Sequence, residues 1–155
     1  MTDVAELRNR LLGAFPPQPF FGLISTHDEC DEGIALRREL PNRSWEDVSS
    51  VFVKDNSSSL GLLEPDALKA FLPAWLLSSM KTFDRNNLVL EFTVYFLCPG
   101  DEDEGWDEDR IARRVGRFNA VQRNVVADFF RAILENDELY LYHPYAKQGL
   151  TRWSV

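Results

Sequence analysis

The chain has few residues of the kinds that build disulfide-stapled, metal-binding or membrane-embedded proteins. Its 155 residues include only two cysteines, Cys30 and Cys98, and two histidines, His27 and His143. Two cysteines give no disulfide framework. No apolar run approaches the roughly 20 residues of a membrane span, and no signal peptide is visible at the start. We therefore expect a cytoplasmic protein without metal, cofactor or membrane contact.

Recognisable catalytic motifs are also missing from the sequence. It contains no phosphate-cradling glycine loop and no Cys-x-x-Cys motif. The consecutive polar residues 27–32 cannot all point at one ion, so we interpret them as the start of a helix. His143 could act as a general base beside a carboxylate, but no nucleophile can be assigned to it. The sequence favours a non-enzymatic protein-binding domain. The alternatives are a small hydrolase or transferase using His143 and a regulatory or scaffold protein of unknown partner.

Acidic charge is concentrated in residues 101–109, which we call the acidic segment. It contains seven acidic side chains and no basic one, within a chain of net charge −8. Without it, 18 acidic side chains remain against 17 basic ones. Such a charge density opposes nucleic-acid binding and accelerates association with a basic protein. The simpler interpretation is a solvated loop that caps the following helix.

The acidic segment predicts a protein-binding surface. Trp106 stands in its middle, and an aromatic anchor framed by charge is typical of an interface hot spot, although the ring could equally fold back onto the core. The expected partner is a protein, for example a basic toxin domain, with no nucleic acid or membrane involved and the oligomeric state left open. The predicted partner-binding residues are Asp101, Glu102, Asp103, Glu104, Trp106, Asp107 and Glu108.

Length and patterning predict one compact, mostly α-helical domain over residues 1–155. Chains usually split into several domains only beyond about 250–300 residues. Apolar residues at helical spacing predict helices over residues 3–15, from Pro65 onward, and after Asn119, which has a glutamine three positions on as in a capping box. Pro73 lies inside the second of these helices and predicts a kink or a restart there.

Three segments are harder to assign. Residues 88–97 have strand-like composition, but a lone strand would lack a partner, so we favour a buried helix capped by Asn86 or Asn87 over a minor extended or β segment. Residues 54–61 are rich in serine and asparagine and predict a loop. The aromatic residues 139–145 are expected to lie across the bundle in an extended form.

Two stretches resemble a bacterial domain family of unknown function with an FLPAWL core motif and an RFxxxQR helix start. They are Phe71-Leu72-Pro73-Ala74-Trp75-Leu76 and Arg117-Phe118-Asn119-Ala120-Val121-Gln122-Arg123. The resemblance covers the middle and final third of the chain, and the first 55 residues add nothing to it. Its positions are mostly apolar, so it implies a shared core and no catalytic residue. Small acidic bacterial proteins without catalytic motifs are often immunity proteins that block a toxin, which is an analogy of class only.

Overall fold

The computed structural model describes residues 2–98 and 108–155, the side chain of Glu108 excepted. All regular structure in these ranges is helical, which confirms the predicted mostly α-helical fold class. None of these helices is both long enough and apolar enough to cross a bilayer. The α-helices are α1 (Val4–Ala14), α2 (Asp31–Glu39), α3 (Ser50–Asp55), α4 (Pro65–Lys81), α5 (Leu88–Leu97), α6 (Glu108–Val115), α7 (Ala120–Leu134) and α8 (His143–Trp153). Shorter 3₁₀ helices span Trp45–Asp47, Ser57–Leu62 and Asp137–Tyr142.

Helix α4 lies at the centre and packs against α1, α3, α5 and α6. Pro65 stands in its first turn, where a missing amide costs nothing. The helix continues through Pro73 to Lys81 without a restart, although Pro73 cannot donate to the carbonyl one turn earlier. Burial on nearly every side explains the continuity, since both Phe71 and Trp75 are fully buried next to the proline.

The ambiguous segment 88–97 is helix α5, as favoured from the sequence. Asn87 caps it, because its Oδ1 accepts hydrogen bonds from the amides of Val89 (3.0 Å) and Leu90 (3.4 Å). The Nδ2 of the same side chain donates to the carbonyl of Thr82 at 2.8 Å. One asparagine therefore closes the end of α4 and opens α5, which resolves the choice between strand and helix.

Helix α7 begins with the predicted capping box. The amide of Gln122 donates to Oδ1 of Asn119 at 2.9 Å, and the amide of Asn119 donates to Oε1 of Gln122 at 3.0 Å. Nε2 of Gln122, a buried side chain, also donates to the carbonyl of Ala14 at 3.1 Å. The start of α7 is thereby fastened to the end of α1, which packs along it.

The expected extended tail over residues 139–145 is wrong, because this region is helical. Asn136 accepts a hydrogen bond from the amide of Glu138 (3.0 Å) and opens the 3₁₀ helix Asp137–Tyr142. Pro144 then lies in the first turn of α8, a position that proline favours. Helix α8 packs closely on α7 at Gly149, where an added Cβ would meet the Phe130 ring at 2.5 Å.

The predicted loop over residues 54–61 is wrong as well. It contains the end of α3 and most of the 3₁₀ helix Ser57–Leu62. Oγ of Ser49 accepts from the amide of Phe52 at 3.1 Å and starts α3, and Nδ2 of Asn56 donates to the carbonyl of Phe52 at 2.9 Å near its end. Among the polar residues that suggested a loop, Asn56 stands between the two helices, and the serines lie inside the 3₁₀ helix.

Candidate functional site

The predicted partner-binding residues fall almost entirely outside the described ranges. This applies to Asp101, Glu102, Asp103, Glu104, Trp106 and Asp107, while Glu108 is the first residue of α6. The structure does describe the chain on either side, namely the end of α5 and the whole of α6. The site can therefore be built from these two flanks.

Both flanks of the acidic segment contact Gly61. The Phe96 ring lies so close that a Cβ on Gly61 would be 2.8 Å from it. From the other flank, the Nη2 atoms of Arg114 and Arg110 lie 3.0 Å and 3.4 Å from the Gly61 carbonyl oxygen. A side chain at this position would force the Phe96 ring to shift. The helices that precede and follow the acidic segment, α5 and α6, therefore both contact Gly61.

The arginines that follow the acidic segment contact the body of the protein. Burial lowers the pKa of the half-buried Arg114, the charge of Arg110 lowers it further, and Glu64 acts in the opposite direction. Nη1 of Arg117 lies 3.5 Å from Oδ1 of Asp66 at the start of α4, and both side chains are exposed. An exposed pair of this kind contributes at most about 1 kcal/mol. These contacts hold α6 against α4 and the 3₁₀ helix Ser57–Leu62.

His143, the candidate general base, is half-buried at the start of α8. Its Nε2 lies 3.0 Å from the carbonyl oxygen of Ile133 and 3.1 Å from that of Asn136. Two acceptors assign the proton to Nε2, so the ring donates to the turn that follows α7. The same two carbonyls also accept the backbone amides of Asn136 and Leu139. The geometry gives this nitrogen a structural role. The hydrolase or transferase alternative stays a prediction.

We expect His143→Ala to lower the free energy of unfolding by about 1 kcal/mol, since the carbonyls of Ile133 and Asn136 each lose one of their two donors. Urea denaturation followed by circular dichroism measures the change. Gln148→Ala is the matched control, because Gln148 is exposed on the same helix. If both variants unfold at the same urea concentration as the unmodified protein, the hydrogen bonds of His143 do not stabilise the fold.

Residues 27–32 start helix α2, as the sequence predicted. Sγ of Cys30 accepts a hydrogen bond from the amide of Gly33 at 3.3 Å, and Oγ of Ser25 accepts one from the amide of His27 at 3.1 Å. In the part of the chain that the structure describes, no group of three or more His, Cys, Asp or Glu residues is placed to hold a metal ion. Cys98 is buried and its thiol donates to the carbonyl of Tyr95.

A surface that the sequence did not predict lies between the α4–α5 loop and the 3₁₀ helix Asp137–Tyr142. It is a cleft of about 600 Å³. The Tyr142 hydroxyl donates to the Arg85 carbonyl at 3.0 Å and joins the two walls. We call it the acidic cleft, since it contains three carboxylates and one guanidinium. Its lining residues are Asp84, Arg85, Asn86, Asp137, Glu138 and Tyr140.

The acidic cleft continues into a neighbour on each side. A cleft of about 330 Å³ shares Asp137 and Glu138 with it and adds Glu135. A cleft of about 580 Å³ shares Asp84 and Asn86 with it and extends to α3 and the start of α5. Because neighbouring clefts share lining residues, the three adjoin on the surface, and we call them together the long groove.

Two ionisable groups report the electrostatics of the long groove. Burial raises the pKa of Tyr142, and the negative charges of Glu91 and Asp84 raise it further. A hydrogen bond from the amide of Thr2 lowers the pKa of Glu135 and so keeps this carboxylate charged. The three carboxylates and single guanidinium that line the acidic cleft give it a negative net charge. Its two walls come from distant parts of the chain, so no local sequence pattern could have revealed it.

The described residues form a small helical domain that carries the acidic cleft on its surface. The chain belongs to a family described as a family of unknown function, DUF6714, whose sequence model matches residues 23–153. This confirms the predicted membership of an uncharacterised family. No curated protein matches the chain, and no solved structure matches it. The family match spans α2 to α8 and leaves out α1.

Proposed function

We propose that this protein is a non-enzymatic protein-binding domain of the bacterial cytoplasm, most concretely an immunity-type inhibitor that neutralises a toxin. One observation carries the proposal: the acidic segment holds seven acidic side chains in nine residues, almost the whole charge excess of the chain. A helical bundle that concentrates its charge in one segment is suited to meeting a basic surface.

The acidic segment would cover a basic cleft of the toxin. Its carboxylates would take the place of the negative charge of the toxin's substrate, and Trp106 would fill an apolar pocket there. Charges of this density attract a basic partner over roughly one Debye length, about 8 Å at physiological salt, and act mainly on the association rate. Inhibition then needs no chemistry from the immunity protein.

The flanks of the acidic segment support this role. Arg110 and Arg114 direct hydrogen bonds to Gly61, and Arg117 pairs with Asp66, so these three cations have partners on the bundle itself. These contacts anchor α6 on one side of the acidic segment, and the Phe96 ring against Gly61 anchors the end of α5 on the other. A rigid base of this kind lowers the ordering cost of binding.

The partner test uses the product of the gene next to this one. We expect that product to stop growth when it is expressed alone in bacteria and to be tolerated when this protein is expressed with it. A neighbouring product that is harmless alone, or that stays toxic in the presence of this protein, contradicts the toxin-inhibitor role. Binding without relief of toxicity would favour a regulatory or scaffold protein instead.

The surface test neutralises the acidic segment. Changing Asp101 and Asp103 to Asn and Glu102 and Glu104 to Gln should slow association with that partner by about tenfold at low salt and leave dissociation nearly unchanged. Stopped-flow fluorescence or biolayer interferometry over a salt series measures both rates. The gap between variant and unmodified protein should close as salt rises, because screening removes the same attraction.

The chain offers a matched control for this charge change. Asp28, Glu29, Asp31 and Glu32 are also two aspartates and two glutamates, all exposed, at the start of α2. Neutralising them alters the net charge equally and should leave association within about twofold. Equal slowing by both variants would assign the effect to net charge alone and contradict a role for the acidic segment.

A further inference from the structure

The shape of the long groove suits a segment of polypeptide. Its three clefts measure about 330, 600 and 580 Å³ and adjoin through shared lining residues. A small molecule is normally enclosed in one concave pocket, whereas a peptide segment lies along an open groove. The long groove crosses the start of α5, while the acidic segment follows the end of this helix. The described lining residues of the groove all lie outside the acidic segment.

One end of the long groove is acidic. Asp84, Glu135, Asp137 and Glu138 line the two clefts at this end, against Arg85 as the one basic side chain among their described lining residues. Asp137 and Glu138 are exposed and free to turn towards a ligand. An occupant of this end gains free energy if it brings arginine or lysine.

The other end of the long groove is apolar and balanced in charge. Val51 and Leu88 line it with 67% and 59% of their surface exposed. Lys54 and Lys81 are both exposed in the same cleft, where aspartates offset their charge. Tyr140, 57% exposed, stands in the acidic cleft beside it. Exposed apolar side chains along a groove are the usual anchor points for a bound segment.

We propose that the long groove binds a segment of a partner protein that carries basic side chains at one end and apolar side chains at the other. Charge selects this occupant over a second copy of the chain, because a copy with net charge −8 would bring repulsion to the acidic end. The proposal goes beyond the toxin-inhibitor role and concerns residues other than those of the acidic segment. Its failure would not contradict the proposed role of the acidic segment.

The probe is a synthetic peptide of about twelve residues, the length of a helix of roughly 18 Å, with arginines in one half and leucines in the other. Titration into the ¹⁵N-labelled full chain should give saturable shift changes at Leu88, Val51, Asp137 and Tyr140. A second peptide, with glutamates in place of the arginines, should not bind. Shift changes centred on the acidic segment instead would overturn the proposal.

Two variants and two controls distinguish binding in the long groove from nonspecific electrostatic or apolar association. Asp137→Asn with Glu138→Gln should weaken peptide binding by about tenfold, and Leu88→Ser by about fivefold. Asp31→Asn with Glu32→Gln is the matched charge control, since both acidic pairs are exposed in a first helical turn. Leu23→Ser is the matched apolar control, because Leu23 is 60% exposed outside the long groove. Both controls should stay within about twofold.

The remaining outcomes also decide the question. If the controls weaken binding as much as the groove variants, or the glutamate peptide binds equally well, the long groove has no selectivity for a basic and apolar segment and the proposal fails. Sedimentation of the protein alone gives a further outcome. Self-association that Leu88→Ser abolishes would assign the groove to a second copy and overturn the proposal. A variant neutralised at Asp101 to Glu104 should bind the peptide normally, whatever its effect on the toxin.

Discussion

Trp153→Ala is expected to lower the free energy of unfolding by about 3–5 kcal/mol. The indole is almost completely buried and meets the Phe118 ring edge-on, with centroids 4.9 Å apart. Its Nε1 donates to the Leu97 carbonyl at 2.7 Å. Alanine would leave a cavity in the core and remove the donor that ties the end of α8 to the end of α5. Urea denaturation followed by circular dichroism gives the change.

Trp153→Phe separates the two contributions. Phenylalanine retains an aromatic ring at this position but leaves the Leu97 carbonyl without its donor, so the expected loss is about 1–2 kcal/mol. Alanine and phenylalanine should therefore differ clearly. An alanine variant that loses less than about 1 kcal/mol would show that α8 is not fastened through this side chain.

The second large effect concerns Gly33, in the first turn of α2. Gly33→Ala should cost about 2–4 kcal/mol, because an added Cβ would collide with the carbonyl oxygen of His27 and lie 2.8 Å from its Cβ. A backbone oxygen cannot rotate away as a flexible side chain can. The preceding residues would have to shift, and the cap from Cys30 to Gly33 would be lost. Differential scanning calorimetry measures the effect.

Gly13→Ala is the control for this substitution, and it should act in the opposite direction. Nothing lies within 4 Å of a Cβ added to Gly13 in α1. Replacing a glycine by alanine in a helix stabilises it by about 0.5–1 kcal/mol when no contact is disturbed. Two identical replacements in two helices should therefore move the melting temperature in opposite directions. Equal shifts would contradict the packing at Gly33.

Helices whose first turn contains a recognisable capping residue could be predicted from the sequence. Asn119 opens α7 as part of a capping box, and Pro65 lies in the first turn of α4. The assignment of 88–97 to a helix depended on Asn87 and on the lack of a partner strand. Asn87 caps the helix, and residues 2–98 and 108–155 contain no strand. Capping hydrogen bonds join residues a few positions apart, so the residue types that form them can be recognised in the sequence.

The tail shows why the remainder could not be predicted. Residues 139–145 are aromatic and contain a proline, which suggested extended chain, yet the same Pro144 lies in the first turn of α8. The decisive contacts of α8 are distant in sequence, because Gly149 packs on Phe130 and Trp153 reaches Leu97. Tertiary packing outweighs local preference in such a segment.

The candidate binding surfaces divide in the same way. The acidic segment is contiguous in sequence and can be found by counting charges. The long groove joins Asp84, in the loop after α4, to Asp137, which follows α7. Only the packing of these two elements creates it, so composition and spacing contain no sign of it.

Gln122 makes the amino-terminal helix and the rest of the bundle interdependent. Its Oε1 accepts the hydrogen bond of the α7 capping box, and its Nε2 donates to the carbonyl of Ala14. Ala14 lies outside the range that matches the family. Glutamate could accept the capping hydrogen bond equally well, but it would turn an oxygen towards that carbonyl. Among relatives, chains with glutamine at this position should have an amino-terminal helix docked as α1 is here. In chains with glutamate, we expect solvent to occupy the place of that helix. The residue at position 122 therefore predicts whether the amino-terminal helix of a homologous chain packs on the bundle.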